Sequence, residues 1–269
     1  MTNTKKQIKE LFFRFKDLTI IGLANIVSNG ISVIFWLYVA SLLGAEQYGE
    51  ISYFIAIAGI ASTVSLVGVG STLIIYTAKE IRIQATLFFI AIVSSMITAI
   101  IVYFLYSNIG ISFYIIGIVI FTLATSEILG RKLYSDYSKY MISQRILMVV
   151  FSLGFYFLIG PTGILIGMAL AFFPYLFRIY KGFKETKIEF SLVKPRLGFM
   201  ANNYFLQLSE SLSGNLDKII IGPLFGFIIL GNYHLALQLL AILGILPSIV
   251  YQYILPREAS GSSNTLLKK

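Results

Sequence analysis

The sequence predicts an all-α, polytopic membrane helix bundle with eight transmembrane helices, arranged as one six-helix lobe plus the first two helices of a second, parallel repeat. Three observations predict it. Apolar runs near the ~20 residues that cross a bilayer recur along the chain. Basic residues sort into alternate loops. Polar positions on the first run recur on the seventh at an offset of 182 residues. Composition agrees, since 57% hydrophobic residues against 12% charged, with a mean hydropathy of +0.84, exclude a water-soluble globular class. The formal charge of +9 is spread over loop ends, which points to anionic membrane lipids as partners and not to nucleic acid. Without cysteine, disulfides and thiolate metal sites are ruled out, and neither a cofactor nor a metal cluster is expected.

Residues 1–17 form a basic amphipathic segment. Ile8, Leu11, Phe12 and Phe15 share one helical face while Lys5, Lys9, Arg14 and Lys16 point elsewhere, which fits an interfacial helix or a solvated leader. The first apolar run is too long for a signal peptide and lacks a small-residue cleavage pattern, so it is expected to remain a span. Runs at 18–43, 49–77, 84–106, 109–129, 141–160 and 162–180 make the first lobe, residues 18–180. Lys79 and Arg82 separate the second and third runs; Arg131, Lys132, Lys139 and Arg145 separate the fourth and fifth. Arg178, Lys181, Lys184, Lys187, Lys194 and Arg196 follow the sixth, most of them in a basic linker at 181–198. Runs at 199–224 and 231–255 form the partial second lobe, and Arg257, Lys268 and Lys269 follow in a polar tail, 256–269. The loops near Glu46, Ser107, Pro161 and Phe227 carry no lysine or arginine. The positive-inside rule therefore expects a multi-pass cell-membrane protein with both termini cytoplasmic. Lys218 is the one basic residue deep inside a run.

The repeat is read from glycines and polar residues together. Leu42, Gly44 and Gly49 at the exit of the first run correspond to Leu224, Gly226 and Gly231 at the exit of the seventh. Asn25, Ser28, Asn29 and Ser32 recur at helical spacing up to Trp36, and their counterparts are Gln207, Glu210, Ser211, Gly214 and Lys218. Asn203 and Asp217 extend the second stripe. Two matching stripes on helices of the same orientation predict two parallel repeats facing a shared cavity.

An ionised group near the bilayer centre costs roughly 2.5–3.5 kcal/mol on insertion scales, so Glu210, Asp217 and Lys218 are expected either to line a substrate or ion pathway or to pair across helices. Asp217 and Lys218 are neighbours about 100° apart around the helix, which argues against their pairing with each other. His234 beside Tyr233 reads as an ordinary interfacial histidine. Arg145 is expected to snorkel to headgroups. Glu127, Arg131, Lys132 and Asp136 read as a solvated loop. Gly163 and Gly167 form a GxxxG suited to close packing, and Gly59, Ser62, Ser65, Gly68 and Gly70 on the second run allow close approach and bending. One histidine, no cysteine and short loops give little support to catalysis, so no catalytic residue is expected.

The segment VASLLGAEQYGEISYFIAI from Val39 to Ile57 resembles the junction between the first two helices of polysaccharide flippases, the lipid-linked oligosaccharide exporters of the multidrug/oligosaccharidyl-lipid/polysaccharide superfamily. NLDKIIIGPLFGFIILGNYHLALQL from Asn215 to Leu239 is similar to the corresponding junction after their seventh helix, and YILPREAS from Tyr253 to Ser260 to the end of their eighth. The resemblance implies two lobes around a hydrophilic cavity and movement of a polyprenyl-diphosphate-linked glycan to the outer leaflet by alternating access. It implies substrate contacts from Asn25, Asn29, Asn203, Gln207, Ser211 and Lys218, with Lys218 toward the diphosphate, and a coupling cation at Glu210 or Asp217. A cation-coupled multidrug exporter of the same superfamily, and a membrane scaffold for glycan-assembly enzymes, are the alternatives. Family members carry a complete second lobe, so the resemblance also implies a C-terminally truncated chain or a short form that completes its cavity as a homo-oligomer.

Overall fold

A computed structural model describes residues 2–241 and 243, with side chains from residue 20 onward. Helix α1 (Thr2–Leu66) is followed by α2 (Val69–Ala78), α3 (Gln84–Tyr106), α4 (Ile109–Gly130), α5 (Tyr134–Ile159), α6 (Thr162–Leu170), α7 (Leu176–Glu185), α8 (Leu197–Phe225) and α9 (Phe227–Ala241). Among the described residues there is no strand. Ile20–Leu66, α3, α4, α5 and the stretch Thr162–Glu185 are long and apolar enough to cross a membrane. Phe104 and Leu158 are 78% and 76% exposed, as a lipid-facing surface requires and a water-facing one would not. The protein is a polytopic membrane helix bundle. Helix α8, at 29 residues, has the length of a span, and Glu210, Asp217 and Lys218 lower its apolarity. The expected end of the eighth span, the Tyr253–Ser260 motif and the tail at 256–269 lie outside the described residues.

Helix α1 is two spans. Gly44 at φ 72°, ψ 171° interrupts it. Trp36 and Tyr48 would stand about 18 Å apart along a straight helix, yet their ring centroids are 6.2 Å apart, so the chain reverses at this glycine. The expected second span at 49–77 is itself broken at Val67 (φ 48°) and Gly68 (φ 73°), where α1 gives way to α2. The cause is tertiary: a Cβ on Gly68 would overlap the Met200 carbonyl of α8, so the bend and the close approach occur together. The expected sixth span at 162–180 stops at Leu170, passes through a 3-10 turn at Phe173–Tyr175 and resumes as α7. Pro174 accounts for the stop, because it lacks the N–H that would bond the Leu170 carbonyl. Helix α7 then runs to Glu185, well into the expected linker.

Helix α4 forms the centre of the first lobe. Ile111, Ile115, Val119 and Leu123, one helical stripe, are fully buried against α1, α2, α3 and α6. Gly163 and Gly167 let α6 lie on α5, where a Cβ at either would overlap the carbonyl of Phe155 or Phe151. The GxxxG therefore packs helices, as expected.

Candidate functional site

The chain reversals at Gly44 and Gly226 meet at one end of the bundle, where the described loops carry no lysine or arginine. Gly226 (φ 93°, ψ 155°) breaks the chain between α8 and α9 in nearly the conformation of Gly44, its counterpart at the 182-residue offset. Both conformations fall where a side chain is strained, which explains the residue type. A Cβ on Gly49 would overlap the Phe227 carbonyl and lie 2.8 Å from the Gly231 nitrogen. A Cβ on Gly231 would in turn overlap the Ala45 carbonyl. Ala45 and Phe227 are themselves related by the same offset. The contact is thus reciprocal, each glycine lying on the carbonyl of the other repeat.

Charge and aromatic side chains gather directly beneath this crossing. Lys218 Nζ donates to the Gly214 carbonyl at 2.6 Å and to Asp217 Oδ1 at 3.2 Å. The same carboxylate accepts from the Lys218 backbone N–H at 2.8 Å and from Tyr233 Oη at 2.6 Å. Asp217 and Lys218 therefore do pair, against expectation, because the carboxylate folds over its own helix turn to the next backbone N–H and the flexible lysine stem spans the remaining angle. Tyr233 reaches them because the chain reverses at Gly226; on a straight helix it would stand about 24 Å from Asp217. His234 is wedged between Tyr48 and Trp36 at centroid distances of 5.3 and 6.2 Å, with Nε2 3.2 Å from Gln238 Nε2.

The expected polar stripes divide. On α8, Gln207 Nε2 donates to Ser71 Oγ at 2.9 Å and Ser211 Oγ to the Gly59 carbonyl at 3.3 Å, so these two hold α8 against α1 and α2. Both stay half-buried at this contact, where Gly59, Gly68 and Gly70 let that edge of α8 come close. Asn203 bonds its own helix at the Phe199 carbonyl, 2.9 Å away. Glu210 and Gly214 stay exposed on the adjoining edge. On α1, Asn29 is exposed, Asn25 half-buried and Ser28 buried.

A family model described as polysaccharide biosynthesis protein matches residues 15–259. The chain belongs to the polysaccharide biosynthesis protein family. It is accordingly a membrane protein of polysaccharide synthesis, in agreement with the resemblance carried by the two glycine junctions. Comparison with curated proteins and with solved structures gives no match.

This family member holds a second charged cluster where the sequence predicts a solvated loop; Lys132 and Asp136 are solvated as expected, but Glu127 and Arg131 are drawn into a buried ion-pair network. The Glu127 side chain is 1% exposed. It pairs with Arg131 at 2.5 Å and hydrogen-bonds Arg178, while Arg131 also bonds Glu185. The Arg131–Glu127 contact is an ion pair without hydrogen-bond alignment, which leaves Glu127 Oε1 and Arg131 Nε without hydrogen-bond partners. Burial works against the Arg131 charge, but Glu127 and Glu185 together outweigh it and raise its pKa. Asp136, in contrast, makes an exposed pair with Lys139 at 3.3 Å. Arg145 is half-buried, with Nε buried and unpartnered and Nη1 3.9 Å from Met148 Sδ.

Proposed function

We propose that this chain flips a polyprenyl-diphosphate-linked oligosaccharide from the cytoplasmic to the outer leaflet by alternating access between its two repeats. On this reading the basic ends of the helices are cytoplasmic and the glycine crossing is the outer seal. The observation that carries it is the reciprocal contact of Gly49 and Gly231. Backbone packed on backbone at equivalent positions closes tightly with no side chain to unlock, and it separates when rigid bodies rock apart.

The exposed polar groups behind the seal support the same reading. Glu210 and Asn29 lie near mid-span, where hydrocarbon would penalise a carboxylate by several kcal/mol, roughly 2.5–3.5 on insertion scales, so their exposure favours a wet cleft. Glycan hydroxyls would meet Asn25, Asn29 and Asn203 there while the lipid tail stays in the bilayer. Lys218 is charge-balanced by Asp217, so it would serve the diphosphate as that pair opens; Glu210 is the better placed carboxylate for a coupling cation. Gln207 and Ser211 act as supports for α8.

The native chain has no cysteine, which permits a direct test. Asn29→Cys and Glu210→Cys should react with a membrane-impermeant maleimide from the cytoplasmic side, and a lipid-linked oligosaccharide should protect both. Unreactive thiols in folded protein, or labelling that substrate leaves unchanged, would remove the cleft.

A further inference from the structure

At the basic end of the first lobe the closing turns of α2 and α4 and the start of α3 surround a cavity of about 670 Å³, which Arg82, Arg131, Lys132, Thr77, Thr186 and Leu133 help to line. We propose that this cavity holds the phosphate-bearing headgroup of an anionic lipid of the cytoplasmic leaflet. The assignment rests on the orientation read above, and not on transport.

Its volume is that of a small-molecule site. Arg131 is fixed in one wall by Glu127 and Glu185. Among the described residues Arg82 and Lys132 are not ion-paired and are exposed, so two cations are available to a phosphate. Glu80, exposed in the same cavity, supplies carboxylate acceptors for hydroxyl groups. That combination fits phosphatidylglycerol, which carries one phosphate and two free glycerol hydroxyls. Leu133, 40% exposed, gives the lining an apolar edge suited to an amphiphile.

The backbone supplies an independent observation. Helices α2 and α4 both end in the turn that glycine ordinarily closes: Ile81 N donates to Tyr76 O at 3.0 Å and Glu80 N to Thr77 O at 2.9 Å, while Leu133 N donates to Ile128 O at 3.1 Å and Lys132 N to Leu129 O at 2.9 Å. In place of glycine, both turns carry charged residues at φ 61°, Glu80 and Lys132, and both line the cavity. A strained left-handed side chain twice at one cavity points to what those side chains do.

The test is thermal unfolding of the full chain in phosphatidylcholine nanodiscs with and without phosphatidylglycerol. Phosphatidylglycerol should raise Tm by about 2–4 °C, and Arg82→Ala should remove most of that shift. Lys132→Gly should raise Tm in phosphatidylcholine, by relieving the left-handed strain, and yet lose the phosphatidylglycerol shift; a purely structural lysine would not separate the two. Lys184→Ala, a basic residue of α7 stacked on Tyr180, should leave the shift intact. No shift, or equal losses in Lys184→Ala and Arg82→Ala, would overturn the site. A shift reproduced in full by inorganic phosphate in detergent would overturn its membrane source. Flipping by a chain that shows no lipid shift would leave the transport reading standing alone.

Discussion

Replacing Gly49 by alanine is the sharpest perturbation of the proposed outer seal. The new Cβ would overlap the Phe227 carbonyl and lie 2.8 Å from the Gly231 nitrogen, both backbone atoms that no rotamer change can move. The two repeats must therefore separate by on the order of 1 Å to restore van der Waals contact. Overpacking of this kind costs about 1–3 kcal/mol. Applied to the sealed state alone, it shifts a two-state equilibrium toward the outward-open form by roughly 5–150-fold. Leu230, fully buried beside Gly231, provides the reporter. With Leu230→Cys as the single thiol, an impermeant maleimide added from outside should label the protein poorly, and several-fold faster once Gly49→Ala is present. Gly231→Ala should act alike, and the double substitution should show less than the sum, because both open one contact. Unchanged labelling in folded Gly49→Ala protein would refute the reasoning.

Lys218→Ala leaves the Asp217 carboxylate without its cation at membrane depth and should destabilise the protein by on the order of 3 kcal/mol in detergent unfolding; Asp217→Asn with Lys218→Met should recover much of the loss. Glu127→Gln deprives Arg131 and Arg178 of a buried partner and should cost about 3–5 kcal/mol by the same measurement. Asp136→Asn, in the exposed pair with Lys139, should stay within about 1 kcal/mol. Gly167→Ala, set against the Phe151 carbonyl, should lose about 1–3 kcal/mol. Gly154→Ala meets open space in α5 and should gain about 0.5–1 kcal/mol.

The spans and the reversals at Gly44 and Gly226 were legible because hydropathy and glycine spacing are local signals. Gly49 and Gly231 were visible as a repeated pair, although which carbonyl each would meet was not. The break at Val67 and Gly68 was hidden, since it answers to the backbone of α8 more than a hundred residues later. The buried state of Glu127 was hidden for a similar reason. Arg131 lies within one turn of it, and a local pair alone suggests a solvated loop; Arg178 and Glu185, brought by α7, complete the burial. Side-chain rotamers decided the Asp217–Lys218 pair, where angular position on the helix misled. The left-handed Glu80 and Lys132 had no sequence sign, because charged residues at helix ends are ordinary there and glycine is the usual mark of such turns.

Leaflet translocation tests the central claim most directly. Proteoliposomes containing only this chain would receive a fluorescent polyprenyl-diphosphate oligosaccharide, with an impermeant glycan-modifying probe reporting which leaflet displays it. Transfer that depends on the protein and slows in Glu210→Gln is the predicted result; correctly folded chain that leaves the substrate in its original leaflet would contradict the account.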